Sequence, residues 1–513
     1  MKYPIGIQNF ESLKREGYMY VDKTDLIFKM VNDGRYYFLS RPRRFGKSML
    51  ISTLEAYLSG KKELFHGLAI EKLEKDWKKY SVLHLDLNSQ KYDSPDDLIQ
   101  ILDYYISKWE SLYGTPEKAL SLSLRFSAVV EKAFLKTGNP VAILVDEYDK
   151  PLLQAIGNQQ LQEEYRNTLK AFYSVLKTQD RYIKFAFLTG VTKFGKISVF
   201  SDLNNLIDLS MDETYQTICG ITEDEIHRYF DEQIHSLAER YKLTYEEALA
   251  ALRKRYDGYH FVECGTGMYN PFSLLNTFKN NKFGSFWFET GTPTYLVELL
   301  KKANYPLDRL TGEKVSADFI NSIDSLSMNP IPVIYQSGYL TIKDYDEEFG
   351  EYTLGFPNQE VEEGFCKYLI PFYTHVDAGS SMYFISNFVK DLRSGKIDDF
   401  MQRMQIMFCD TDYKIVGDTE LYFQNAFNII ARMLGFYTEV ERTTSNGRMD
   451  MTILTQNYIY IFEFKMDQSA DIALQQIEDK GYALPFANDS RQLIKVGVNF
   501  SKEKRCIDDW KTN

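Results

Sequence analysis

Residues 36–58, YYFLSRPRRFGKSMLISTLEAYL, constrain this chain more than any other stretch. Tyr36 to Leu39 is an apolar run with the character of a buried strand. A cationic turn containing one glycine follows. From Lys47 onward Met49, Leu50, Leu54 and Leu58 fall at helical spacing. Strand, phosphate-sized loop and helix is the layout of a P-loop. Such a loop wraps backbone N–H groups around phosphates and aims a helix N-terminus at their charge. On this reading Arg43, Arg44, Phe45, Gly46, Lys47 and Ser48 bind nucleotide. Lys47 reaches the β- and γ-phosphates, and the Ser48 hydroxyl holds Mg²⁺. The usual pattern G-x-x-x-x-G-K-[ST] has Arg41 where its first glycine belongs. With Arg43, Arg44 and Lys47 it makes the loop unusually cationic. The competing reading is a solvated turn before an ordinary helix.

A second motif supports the first. Residues 141–151 read VAILVDEYDKP, an apolar strand that ends in two acids. An acid at the C-terminal end of a strand beside a P-loop binds Mg²⁺, and a second acid polarises the attacking water. These roles fall to Asp146 as metal ligand and Glu147 as general base. Together the motifs predict ATP and Mg²⁺ as cofactors.

The rest of the N-terminal half fits an α/β sheet. Thr24 or Asp25 is placed to cap a helix DLIFKMV. By position, residues 1–35 favour a leading helix packed on the sheet over a segment folded across the nucleotide base. KYSVLHLDLN (79–88) is a strand, followed by helices over about 95–112 and 117–136. A helix over about 158–178 precedes the buried strand 182–196, which reaches a polar end at Thr189 and Gly190. The strand between the P-loop strand and the acid strand is typical of the ATPase branch with a catalytic Glu. There a polar strand end senses the γ-phosphate; Thr189 is the first candidate and Thr192 the second. A hydroxyl satisfying local backbone is an equal alternative. LNNLIDLS (203–210) closes the sheet as a fifth strand.

Residues 222–260 read as helical, with acids early and bases late as the helix dipole favours. A lid is expected here, and Arg253, Lys254 or Arg255 could reach phosphates from it; a solvated basic helix end is the simpler account. Strands Tyr339–Tyr345 and Tyr352–Phe356 flank an acidic turn and suggest a winged-helix-like module. Its acidic tip disfavours phosphate contact, so a structural role is preferred.

The text restarts near residue 400. ELYFQNAFNIIARMLGF (420–436) is an apolar helix ending at Gly435. A hairpin follows, Met449–Leu454 and Tyr458–Phe464 around Thr455-Gln456-Asn457. Asp450 opens its first strand. Glu463 and Lys465, two apart, share one face of the second. Asp followed by Glu-x-Lys is the arrangement of a PD-(D/E)XK nuclease. Two carboxylates, Asp450 and Glu463, would bind Mg²⁺ through hard oxygens. The metal would activate water and neutralise the scissile phosphate, and Lys465 would position the water or stabilise developing charge. Of Gln475 and Gln476 on the next helix, Gln476 is preferred at the site. A structural ion pair between Glu463 and Lys465 is the alternative, because charge inside an apolar strand is costly unless paired or metal-bound.

The chain has 513 residues, too many for one core, and the boundaries read are 1–215, 216–285, 286–400 and 401–513. Its net charge of −12 argues against a uniformly basic nucleic-acid coat, though not against a local groove. Five widely spaced cysteines without a C-x-x-C pair fit a reducing cytoplasm. The opening MKYPIGIQNF holds no apolar signal core. No stretch reaches the roughly 18 apolar residues of a membrane span.

Taken together, the chain resembles the bacterial AAA-ATPase-like proteins fused to a C-terminal PD-(D/E)XK nuclease domain, over nearly its full length. The matching stretches are IGIQNFESLKREGYMYVDKT, FLSRPRRFGKS, ILVDEYDKP, LTGVTKFGKISVFSDLNNL, YDGYHF with YNPFSLLN, SNGRMD, IFEFK and ALQQIEDKGYA. The resemblance makes Arg41 in the first-glycine position an ordinary feature. It implies a nucleotide-side role for Tyr20 to Thr24, and a place in the nuclease fold for Glu441 to Asp450 with Arg448 near the site. The fold expected is α/β: an ASCE/AAA-like parallel sheet with a helical lid, a winged-helix-like connector and a C-terminal α/β PD-(D/E)XK domain. The function expected is an ATPase coupled to a Mg²⁺ nuclease acting on DNA, with RNA ranked behind. The alternative is an ATP-dependent switch or scaffold whose nuclease-like domain recognises a partner without cutting. No arginine finger can be assigned, so oligomeric state stays open.

Overall fold

The computed structural model describes residues 2–116, 120–193, 199–200, 203, 205–263, 265–288, 294–321, 329–374, 381–409, 419–435, 437–445 and 448–513. The chain forms two compact units, Met1–Thr290 with Gly312–Glu360, and Gly291–Thr311 with Val361–Asn513.

The first unit is built on five strands: β1 (Tyr36–Ser40), β2 (Ser81–Asp86), β3 (Val141–Asp146), β4 (Ile183–Gly190) and β5 (Ile207–Asp208). Their order is β2-β3-β4-β1-β5, and every neighbouring pair is parallel. Parallel strands need crossover helices on the sheet faces, so strands bury both faces and read as continuous apolar runs. Accordingly β1 and β3 are buried at every position. Helices Pro95–Tyr113, Leu122–Thr137 and Gln159–Tyr173 cover the face that carries Phe38, Leu85 and Val145. The helix Lys47–Leu58 packs on β2 and β3.

Several boundaries differ from the sequence reading. The strand expected over 203–210 is only two residues long. Beyond it the Ser210 hydroxyl accepts the Ser40 N–H at 2.9 Å, replacing a ladder bond with a side-chain bond. The strand expected to reach 196 stops at Gly190, and residues 194–198 lie outside the described part. Helix 158–178 breaks at Ser174 into two pieces. The helix Thr24–Asp33 is not capped by Thr24 or Asp25. The Asp22 carboxylate accepts the Thr24 N–H at 2.9 Å and its hydroxyl at 2.7 Å.

The expected lid consists of Glu223–Tyr241, Tyr245–Tyr256 and Pro271–Asn280. Capping boxes, Thr222 with Glu225 and Thr244 with Glu247, start the first two. Their shared core also receives Ile5, Met19 and Val21 from the N-terminal segment. The wing-like hairpin is β7 (Thr341–Asp346) and β8 (Glu351–Gly355). An unforeseen strand, β6 (Glu313–Ser316), pairs antiparallel with β8.

The second unit holds a mixed sheet of β9 (Glu439–Ser445), β10 (Arg448–Leu454), β11 (Tyr458–Met466), β12 (Gln492–Ser501) and β13 (Cys506–Thr512), ordered β13-β12-β11-β10-β9. Only β11 and β12 run parallel, and the helix Ala470–Asp479 makes their crossover. Alternation along β11 divides its faces. Phe462 and Phe464 meet Phe400 and Phe427 on one side, while Ile459 and Ile461 meet Ile477 of the crossover helix on the other. Contacts begin well before residue 400: the Tyr460 hydroxyl donates to the Leu392 carbonyl at 2.7 Å. Among the described residues no helix is long and apolar enough to cross a membrane.

Candidate functional site: a phosphate loop and a buried Glu-x-Lys

The P-loop leaves β1 at Ser40 and enters its helix through Gly46, which caps the helix at φ 93°. A left-handed residue there is natural for glycine. Arg44 also adopts positive φ, 67°. The Lys47 ammonium is buried, donating to the Arg41 and Pro42 carbonyls at 3.0 and 3.2 Å, and lies 3.4 Å from a Glu147 oxygen. Arg41 corrects the sequence reading of a four-cation loop. It turns inward, 1% exposed, donates to the Ser40 and Ser210 carbonyls, and stacks on Phe261 at 4.0 Å. Burial holds its guanidinium down at about 10. Arg43 and Arg44 are exposed on the loop, Arg44 4.7 Å over the Phe272 ring of the lid. The Phe45 side chain is a core anchor against Tyr259 and Phe261 and has only its backbone to offer a ligand.

Asp146 and Glu147 diverge in role as their surroundings diverge. Asp146 is buried, and its Oδ1 has no hydrogen-bond partner. Burial, then the charge of Glu147, pushes its carboxyl up to about 6, against the Ser48 hydroxyl that hydrogen-bonds to it. Glu147 sits at φ 54°, a strained backbone for a residue with a Cβ, and borders the cleft. That cleft, about 510 Å³, runs from Lys47 and Glu147 to Pro4–Gln8 and Tyr20 on one wall, and Phe272 and Leu275 of the lid on another. So the N-terminal segment forms the helices Phe10–Arg15 and Thr24–Asp33 and also borders this cleft.

Thr189 and Thr192 are both buried and tied to protein. The Thr189 hydroxyl donates to the Leu39 carbonyl at 2.8 Å, and the Thr192 hydroxyl to Asp149 at 2.7 Å. Neither lines the cleft, nor do Arg253, Lys254 and Arg255; Arg253 is engaged with Glu223. Asp149 went unassigned in the sequence, although it is the third acid of DEYD. Fully buried, it accepts the Val191 and Thr192 N–H groups at 3.2 and 2.6 Å and latches the loop after β4 to the acid strand. Gly190 is required by this latch, because a Cβ there would lie 2.4 Å from Asp149 Oδ1. Gly190→Ala is expected to cost about 1–3 kcal/mol through overpacking, read as a lower midpoint in thermal denaturation. An unchanged midpoint would mean the loop is not held by Asp149.

In the second unit Glu463 and Lys465 are both buried, at 0% and 5% exposure. The Lys465 ammonium donates to Glu463 Oε1 and Gln476 Oε1, each at 2.6 Å. The crossover helix reaches the sheet closely enough to deliver Gln476: a Cβ on Gly497 would lie 2.3 Å from the Ala470 carbonyl. Met451 pairs with Phe462, so positions 450 and 463 each lie one residue beyond this same pair on adjacent strands. The side chains of Asp450, Arg448 and Glu441 lie outside the described part. Among the described residues no group of three His, Cys, Asp or Glu side chains could hold a metal ion.

Comparisons with known proteins agree with this division. A family profile described as "Predicted AAA-ATPase" matches residues 4–200, and one described as "PD-(D/E)XK nuclease superfamily" matches 418–510. A curated relative, "Uncharacterized protein in vnfD 5'region" of Azotobacter chroococcum mcd 1, is 33% identical over 518 residues, covering 99% of this chain and 98% of its own. A solved structure titled as the Aeropyrum pernix ORC2 protein in ADPNP–ADP complexes aligns with 68% of this chain and 88% of its own. Its identity is 11% and its TM-score 0.23, too low to add to the strand order above. A five-stranded parallel sheet with a phosphate loop, followed by a mixed sheet with a buried Glu-x-Lys, places this chain in the family of AAA-ATPase-like proteins that carry a C-terminal PD-(D/E)XK nuclease-superfamily domain.

Proposed function

We propose that the first unit binds and hydrolyses ATP with Mg²⁺, and that the second is a Mg²⁺-dependent nuclease acting on DNA, with RNA ranked behind. The observation that carries the ATPase half is the meeting of Lys47 and Glu147 at the end of one cleft, with Asp146 hydrogen-bonded behind them to Ser48 of the cleft lining. Lys47 supplies positive charge where phosphate charge accumulates. Glu147, already within reach of that cation, accepts the proton of the attacking water. Asp146 and Ser48 fit Mg²⁺: a buried carboxylate oxygen without a partner beside a hydroxyl suits an ion that takes one or two protein oxygens and completes its shell with phosphates and water. Bound there, Mg²⁺ would neutralise phosphate charge during transfer.

A proton competes with Mg²⁺ for Asp146. Its folded carboxyl is raised from 3.8 to about 6, so the charged form is lost as pH falls through about 6. Mg²⁺-dependent ATP affinity is expected to be full above about pH 7 and to fall about tenfold per unit at acid pH. The sign for stability is the opposite: the folded state holds this proton more tightly, so the group's contribution declines as pH rises from about 4 to 6. Titrations of ATP binding between pH 5 and 8, with and without Mg²⁺, check this. A Mg²⁺ dependence equally strong at pH 5 would exclude Asp146.

For the nuclease half, Asp450 and Glu463 would hold the metal, with Lys465 steered by Gln476 toward water or the developing phosphate charge. The switch-or-scaffold reading has support of its own, because Lys465 and Glu463 also make a buried ion pair at 2.6 Å. Incubating the purified chain with plasmid, single-stranded DNA and RNA, with Mg²⁺ or Mn²⁺ and with or without ATP, separates the two. Cleavage abolished by Asp450→Ala supports the nuclease; ATP turnover without any cleavage supports the switch.

A further inference from the structure

The P-loop is braced from behind by residues far away in the chain. The indole N–H of Trp287 donates to the Arg43 carbonyl at 3.1 Å. The backbone N–H of Trp287 in turn donates to Glu360 Oε1 at 2.9 Å, and that of Phe286 to the same oxygen at 2.5 Å. Trp287 is also edge-on to Tyr339, with centroids 5.0 Å apart. Beside Tyr339, Gly338 stands at φ +88°, and a Cβ there would meet Pro42 at 2.5 Å. Two consecutive loop residues, Pro42 and Arg43, therefore rest on this bracket. Glu360 is 1% exposed and its carboxyl is pushed up to about 7 by burial, a destabilising placement for an acid that the Trp287 and Phe286 N–H groups partly offset.

The bracket lies where the chain leaves the first unit. One passage falls between Thr290 and Gly291, just after Trp287, and another between Glu360 and Val361. The two residues that clasp each other behind the phosphate loop are thus the ones at the roots of two connections to the nuclease-superfamily unit.

We propose that Trp287 and Glu360 form a clasp that positions the P-loop for nucleotide, and through which occupancy of the loop reaches the two connections. This rests on the nucleotide-binding reading above. Neither Trp287 nor Glu360 lines the cleft; they are positioning residues, acting through the Arg43 carbonyl. Ordering the loop around a triphosphate tightens the hydrogen bond at Arg43, and the clasp passes that ordering to residues 286–288 and 357–362. A nucleotide signal for the second unit then starts at these connections.

The test uses the full chain and measures Mg²⁺-ATP binding, ATP turnover and thermal midpoint in the parent and three variants. Trp287→Phe keeps a ring against Tyr339 and removes only the indole donor. Glu360→Gln keeps an acceptor for the two N–H groups, and Glu360→Ala removes it. Trp287→Phe and Glu360→Ala are expected to weaken ATP binding about three- to tenfold, the range of one hydrogen bond at roughly 0.6–1.4 kcal/mol, seen as a raised KM with kcat kept. Glu360→Gln is expected to stay within about twofold of the parent. Hydrogen exchange at 286–288 and 357–362 is expected to slow on adding ATP to the parent, and not in Trp287→Phe held at saturating ATP. Lower thermal midpoints with parental ATP affinity in both Trp287→Phe and Glu360→Ala would reduce the clasp to packing and overturn the proposal. A parent that binds no nucleotide would instead overturn the ATPase reading, and the clasp with it.

Discussion

Lys47→Ala is expected to lower ATP turnover by about 10²–10³-fold, the scale of losing one preorganised charge donor at a reacting centre. The argument is local. The ammonium is 4% exposed, in a loop whose Arg41 and Pro42 carbonyls and Glu147 carboxylate all face it. A cation so held needs no rearrangement when negative charge develops beside it. The variant is also expected to be less stable, by about 1–3 kcal/mol, because removing the donor leaves buried acceptors unmet. The simple view of a solvent-facing lysine, removable without effect on the fold, does not hold here. Isothermal titration with Mg²⁺-ATP and phosphate release should therefore be accompanied by a melting curve. Glu147→Gln is the companion, keeping binding and losing turnover. A Lys47→Ala chain that is folded and turns over ATP at the parental rate would refute the site.

Lys465→Met is expected to cost about 3–5 kcal/mol in the second unit and to eliminate cleavage. Its ammonium is the cation of a buried pair at 2.6 Å, and removing it takes that positive charge away from Glu463, which is 0% exposed. Breaking a buried pair on one side is far more damaging than replacing both partners. The double variant Glu463→Gln with Lys465→Met is accordingly expected to recover most of the stability and none of the cleavage. Denaturant unfolding followed by probes in each unit, analysed as more than one transition, separates stability from chemistry. If the double variant still cleaves plasmid, the nuclease site lies elsewhere. If the single variant is as stable as the parent, the pair relaxes more than this geometry implies.

Much was legible in the text of the chain because its signals are short-range. A parallel strand buried on both faces must be apolar throughout, so VAILV and YYFL announce themselves. Ser48 follows Lys47, Glu147 follows Asp146, and Lys465 stands two after Glu463, so each chemical group is positioned by its own strand or helix end. The αL glycine before the P-loop helix and the hairpin around residues 455–457 are of the same kind. These features need only local backbone geometry and the alternation of faces.

Other features depended on residues distant in sequence. Arg41 reads as a phosphate-loop cation, but Ser210 and Phe261 capture it and turn it into the core. The fifth strand reads as long, but the Ser210 hydroxyl takes the place of a ladder bond and leaves it two residues. Thr189 and Thr192 read as polar strand ends open to phosphate, yet Leu39 and Asp149 engage their hydroxyls. Strand β6 finds β8 across nearly forty residues. The acids, lysines and glycines of the proposed sites stand side by side in the sequence alone, since adjacency along a strand or helix suffices to bring them together. Which polar groups face the cleft and which hold the framework was decided only in the tertiary structure, because a buried donor takes whichever acceptor the packed chain brings within about 3 Å, and that partner need not be near in sequence.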